Sequence, residues 1–337
     1  MTSNGFFAVG RQTFISACGL GINPACAFLV MACGTGKDNV STRWSAEAVG
    51  NHAGMRWSAA KEAIEALCSA ELVTKGGKPA RPSYKLKKEG ELIWLPRTLV
   101  EGAANELAPL VKLRQTQDHM ALRLLVELYT AQNLREDGGI NTKTVYQSFE
   151  RRKAGQQGAY TVWDFTSSGS QWVFMNSDAA KAHRREALTA EEKMAGKKLE
   201  DVRAVDFFQR LGTLKALGLI EWVPYLYEGK EGEPIHPVAW NGLPMEKELY
   251  KAATAAGIRM LTGGQNDHLE GVPVPVPNHI TEAAMIGIAR LKYRPHTAMT
   301  AAWWAQHQSI CEGFTEKYNS LAVPVAKAHT GTFGRDF

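Results

Sequence analysis

No apolar run in this 337-residue chain approaches the roughly 20 residues needed to cross a bilayer. Met1 to Arg11 also lacks the basic start and apolar core of a secretion signal. The expectation is a cytoplasmic protein with no membrane partner. Cysteine is scarce and unpatterned. Cys18, Cys26, Cys33, Cys68 and Cys311 form no CxxC pair and no Cys/His spacing typical of zinc, and their odd number argues against a disulfide framework. Reduced, partly buried thiols are expected, with no metal and no cofactor. His268, His279, His296 and His307 match no ligand spacing and read as surface or core histidines. Catalytic motifs are missing as well. Gly34-Thr35-Gly36-Lys37 lacks the first glycine of a phosphate loop and follows a helical stretch, not a strand. There is no GxSxG elbow and no HExxH helix, and Glu191-Glu192 reads as polar helical surface. The chain is read as non-enzymatic.

What is present is a globular composition with an uneven charge. A hydrophobic fraction of 45% suffices for two cores or three. The formal charge is +5, and residues 1–100 hold twelve Lys or Arg against seven Asp or Glu, which leaves 27 of each for the remainder. All the net positive charge therefore lies in the first hundred residues. Concentrated in this way, it is an electrostatic footprint.

The same stretch carries a pattern of elements. A short apolar helix (Pro24 to Cys33) is followed by a polar loop, a helix from Arg43 to Asn51, a Gly-containing turn (His52 to Met55) and a helix from Arg56 to Ser69. A hairpin follows: Leu72-Val73 begins a strand, Lys75 to Pro82 forms the tip, and Ser83 to Lys87 returns. From Thr74 to Lys88 there are six basic residues and no acidic one. This is the order of a winged helix-turn-helix, whose second helix enters the major groove of DNA. Ala60, Ala63, Ile64 and Leu67 should face the core. Arg56, Trp57, Ser58 and Lys61, with Glu62 and Glu65 further along, then face the groove. Ser41 or Thr42 can cap the preceding helix, and Arg43, Trp44 and Ser45 lie where backbone phosphates pass. Lys75, Lys78, Arg81, Lys85 and Lys87 are the phosphate-binding candidates, set against the plain alternative of a solvated basic loop. For Trp44 and Trp57, core packing is an equal alternative to DNA contact.

A second copy of the pattern is expected downstream. Its first helix spans His119 to Asn133, its second starts at Asn141 or Thr142 and runs through Tyr146 and Phe149, and its third covers Val202 to Leu217. Leu219 to Tyr227 then reads as a strand leading to a tip with Glu228, Glu231 and Glu233. Such an acidic tip suits dimerisation or a partner protein better than phosphate. An insertion of about 151–200 separates the second and third helices. It carries Arg151-Arg152-Lys153, strand-like patches at Trp163-Asp164-Phe165 and Trp172-Val173-Phe174, and a helical stretch from Ser177 to Leu199 with Lys181, Arg184 and Arg185. Its cations either extend a DNA surface or form solvated faces. Further on, Pro244 to Leu261, Thr281 to Leu291 and Thr297 to Ile310 read as helices and Gly271 to Pro277 as an extended Val-Pro linker. Trp303 and Trp304 read as packing anchors or an oligomer contact.

The expected fold class is mainly α with small β-hairpins: two winged helix-turn-helix domains plus a helical C-terminal region. The boundaries are 1–91, a connector at 92–117, 118–240, 241–325 and a mobile tail at 326–337. The apolar run from Ala27 to Gly36, the Trp44-Ser45 helix start, and Ala59-Ala60-Lys61-Glu62-Ala63-Ile64 before Leu72-Val73 resemble winged helix-turn-helix proteins of bacterial phages and plasmids. The tandem arrangement is similar to plasmid replication initiators. The resemblance implies sequence-specific binding of double-stranded DNA in transcription regulation or replication. The acidic second tip and the insertion depart from the initiator pattern. The alternative is a non-enzymatic docking factor that captures a host protein complex, and a homodimer fits either reading.

Overall fold

A helix that is apolar on every side must be surrounded by other elements, and Ile22–Cys33 buries every residue except Asn23. In the computed structural model, which describes residues 5–78, 81–103, 106–142, 144–167, 172–174, 205–229, 232–261 and 269–322, it is the central helix of one of two units. The first unit comprises Met1–Gln147, Trp172–Trp222 and Ile288–Ala305; the second comprises Ser148–Gln171, Val223–Gly287 and Gln306–Phe337.

In the first unit, β1 (Phe6–Gly10) leads into α1 (Arg11–Gly19) and the central α2 (Ile22–Cys33). Then come β2 (Ser41–Thr42), α3 (Ala46–Ala53), α4 (Trp57–Ser69), β3 (Val73–Lys78) and β4 (Arg81–Leu86). The last two strands form an antiparallel hairpin, and β2 adds to β4, so the sheet order is β2-β4-β3. The helices α2, α3 and α4 close one core with Ala60, Ala63, Ile64 and Leu67 of α4 inside it. After the hairpin, β5 (Leu92–Pro96) pairs antiparallel with β1, followed by α5 (Thr98–Glu101) and α6 (Pro109–Gln115). Pro109 stands at the start of α6, where its missing N–H has no intrahelical partner to lose. The Asp118 carboxylate accepts from the Met120 and Ala121 N–H groups and so caps α7 (His119–Leu128). A 3₁₀ turn (Tyr129–Ala131) follows α7. The unit is completed by β6 (Val145–Ser148), whose last residue falls in the second unit, the antiparallel β9 (Trp172–Phe174) and α8 (Val205–Ala216).

The second unit holds β7 (Glu150–Gln157), β8 (Tyr160–Thr166), β10 (Ile220–Glu228), β11 (Pro234–Pro237), α9 (Pro244–Met260), β12 (Val272–Pro277), β13 (Ala283–Leu291) and α10 (Ala298–Ala322). Of these, β10, β13 and α10 have their first or last residues in the first unit. One sheet runs β12-β8-β7, and β11, β10 and β13 lie side by side in another. Phe165, Leu249, Ala253, Val274, Val276 and Met285 form the core.

The expectation of a mainly α chain with two winged helix-turn-helix domains and a helical C-terminal region is overturned, because 44% of the described residues are helix and 29% strand. Three segments carry the correction. The expected helix through Tyr146 and Phe149 is instead β6 leading into β7, so the second helix of a downstream copy does not exist. The Val-Pro segment is a paired strand. The expected helix from Thr281 to Leu291 is β13, with all nine of its residues buried. A run buried on both faces shows no alternation, and periodicity then cannot separate strand from helix. The helical stretch from Ser177 to Leu199, Lys181, Arg184, Arg185, Glu191, Glu192, His268 and the tail at 326–337 lie outside the described residues.

Candidate nucleic-acid interface

The turn between α3 and α4 depends on Gly54, whose φ of 64° is a left-handed conformation costly to any residue with a Cβ. Arg114 of α6 holds it from outside, donating from Nε to the Ala53 carbonyl at 2.7 Å and from Nη2 to the Gly54 carbonyl at 2.8 Å. These carbonyls at the end of α3 have no partner within the helix. Arg97 does the same for α2 through a 2.8 Å bond from Nη1 to the Cys33 carbonyl. Neither arginine was among the residues singled out from sequence. A lone arginine after a helix bears no local mark of the carbonyl it will reach.

With its apolar residues turned inward, α4 leaves Arg56, Trp57, Ser58, Lys61, Glu62 and Glu65 exposed. Arg56 occupies the position just before the first turn. Trp57 is 64% exposed, so the core-packing alternative does not describe it. It does describe Trp44, which is half-buried against the core and stacks on His52 at 4.7 Å with the planes 5° apart. Ser45 stands at the N-cap of α3 without a side-chain cap, and Arg43 beside it is exposed. The expected capping by Thr42 is not seen: its hydroxyl donates to the Gly34 carbonyl and accepts from the Trp44 N–H.

The hairpin register sorts its cations by face. Thr74 faces Lys85, Lys75 faces Tyr84, and Lys78 faces Arg81. Side chains alternate along a strand, so Val73, Lys75, Tyr84 and Leu86 share one face and Thr74, Lys78 and Lys85 the other. Val73, Tyr84 and Leu86 are buried, which makes the first face the inward one. Lys75 belongs to that face but stands beyond the core and is exposed, as are Lys78, Lys85, Lys87 and Lys88. Among the described residues, no carboxylate lies within ion-pair distance of Lys75, Lys78 or Lys85; Lys87 pairs with Glu89 at 3.0 Å. Where the hairpin meets the end of α4, a groove of about 580 Å³ is lined by Cys68, Glu71, Lys75, Lys85 and Lys87 among others.

The Arg151-Arg152-Lys153 cluster belongs to the second unit and is occupied there. Arg151 donates to the Ala283 carbonyl at 2.6 Å and lies 5.3 Å over the Trp163 ring. Arg152 pairs with the buried Asp164 at 3.0 Å, and Lys153 bonds Gln156. His307, one of the four histidines considered as ligands, is buried beside Glu246 and Tyr225, whereas His279 and His296 are exposed. Among the described residues no group of three His, Cys, Asp or Glu could hold a metal ion. No helix among them is long and apolar enough to cross a membrane. No protein family matches the chain, and neither a curated protein nor a solved structure does.

Proposed function

We propose that the first unit binds double-stranded DNA, with α4 in the major groove and the β3–β4 hairpin against phosphate. The observation that carries this reading is the pairing of one exposed helix following a tight turn with a neighbouring hairpin whose Lys75, Lys78 and Lys85 have no carboxylate within ion-pair distance among the described residues. Phosphate contacts supply affinity and its salt dependence, and groove contacts supply discrimination. Arg56, Trp57, Ser58 and Lys61 are assigned to the groove, and Lys75, Lys78, Arg81 and Lys85 to phosphate. Trp44 supports α3 from within. The five free cysteines support a reducing compartment, the cytoplasm.

The test is a fluorescence-anisotropy titration of labelled duplex over a salt series. The wild-type protein binds more weakly as salt rises. Combined Lys75→Ala, Lys78→Ala and Lys85→Ala lowers affinity for every duplex and flattens the slope of log K against log salt by about 2.7, at about 0.9 per phosphate. Salt-independent binding, or an unchanged slope in the triple variant, removes this reading.

A further inference from the structure

Trp57, Lys61 and Glu65 are spaced four residues apart and form one row along the exposed face of α4. The Lys61 ammonium lies 5.6 Å from the Trp57 ring centroid and 3.7 Å from Glu65 Oε1, and all three side chains are more than half exposed. Lys61 is thus held along the helix between an aromatic face and a carboxylate. Lys75, Lys78 and Lys85 of the hairpin are set differently, with no carboxylate within ion-pair distance among the described residues. Glu62 adds a second exposed carboxylate beside the row.

We propose that this row reads a G·C base pair on the floor of the major groove, with Glu65 as the residue that positions Lys61 and keeps it from phosphate. The proposal rests on the DNA-binding reading above and assigns the target of its helix. A held ammonium beside a carboxylate presents a donor and an acceptor together. The major-groove edge of G·C offers the complement, two adjacent acceptors at guanine O6 and N7 for the ammonium and a donor at cytosine N4 for the carboxylate, whereas A·T sets its adenine N6 donor between the acceptors N7 and O4. A phosphate offers acceptors only and repels Glu65, so the row is poorly suited to the backbone and suited to base edges. Trp57 supplies apolar contact to an adjoining thymine methyl.

The experiment selects bound duplexes from a randomised library, then titrates wild type, Lys61→Ala and Glu65→Ala on the selected duplex and on a random-sequence duplex over a salt series. Circular dichroism establishes that each exposed-site variant is folded. The selected sites contain a G·C pair whose replacement by A·T weakens wild-type binding roughly 5- to 150-fold. Lys61→Ala loses that preference and keeps the wild-type salt slope. Glu65→Ala frees Lys61 for phosphate: binding to random duplex strengthens by close to tenfold near 0.1 M salt, and the slope steepens by about 0.9. A slope flattened by about 0.9 in Lys61→Ala would show Lys61 already on phosphate and overturns the proposal. So do variants that change neither discrimination nor slope, while hairpin-dependent binding leaves the wider reading intact. A wild-type protein that binds no duplex overturns both, and a folded protein that does so leaves the row to a protein contact.

Discussion

Two hydrogen bonds from one guanidinium hold the end of α3 in place, and their geometry makes Arg114 hard to replace. Nε and Nη2 reach adjacent carbonyls, Ala53 and Gly54, which a single ammonium cannot span in the same way. Arg114→Ala is expected to cost about 1.5–3 kcal/mol, the range for hydrogen bonds from a charged group. Arg114→Lys should recover less than half of that. Urea denaturation midpoints measure both, and equal stability of wild type and alanine variant would remove the role. His236 makes a second single-residue argument, in the second unit. Its ring is fully buried, with Nδ1 3.0 Å from the Pro237 carbonyl and Nε2 2.9 Å from the Tyr318 hydroxyl. Burial holds its pKa down at about 4, the Lys317 charge acts in the same sense, and the Pro237 hydrogen bond opposes them. Unfolding therefore releases a group that takes up a proton more readily. Its stabilising contribution is complete above the ordinary histidine value near 6.5 and diminishes as pH falls from there toward 4. The loss amounts to as much as about 1.4 kcal/mol per pH unit. His236→Gln should flatten stability against pH in that window, and identical profiles for the two proteins would count against the assignment.

The Val-Pro segment shows how an element can contradict its composition. Asn278 N–H donates to the Ala159 carbonyl, which places the even positions of β12 toward β8 and the odd ones away from it. Pro273, Pro275 and Pro277 are all odd. Each proline stands where its absent N–H removes nothing from the ladder, while Val272, Val274 and Val276 stand at the positions whose backbone N–H groups face β8. Val274→Pro moves the defect to the inward register and should destabilise the second unit by on the order of 3 kcal/mol. Pro277→Ala, at an outward position, should change stability by less than about 1 kcal/mol. Thermal unfolding compares the two; equal effects would remove the register argument. The prolines alone suggested a linker because register is a property of the partner strand, and the partner lies more than a hundred residues earlier. The same non-locality hid β6 and β13. By contrast α4 was legible, since Ala60, Ala63, Ile64 and Leu67 bury one face at helical spacing and leave the other polar. The hairpin was legible from its glycines and alternating polarity. The hold of Glu65 on Lys61 was also available from sequence, as an i,i+4 pair of opposite charge.

Across the whole chain, charge and thiols are concentrated in the same stretch. The net +5 is confined to residues 1–100, which also hold four of the five cysteines, and all five are free. Cys18, Cys26, Cys33 and Cys311 are buried, and only Cys68 is partly exposed. Burial raises the Cys18 and Cys26 thiols far above the ordinary range and pushes Cys33 up to about 12, with Arg97 acting against it. Burial raises Cys68 as well, although Lys75 pulls the other way. The thiolate is the reactive form, so both access and ionisation protect the folded chain. A thiol reagent at pH 8 should therefore modify the native protein slowly and at Cys68 first, and should reach all five cysteines once denaturant is added. The labelled fraction at Cys18 and Cys26 then reports the opening of the first unit's core, where both side chains are packed. Mass spectrometry of the modified peptides distinguishes the outcomes. Rapid native labelling at Cys26, on the fully buried side of the central helix of this core, would be incompatible with the packing described.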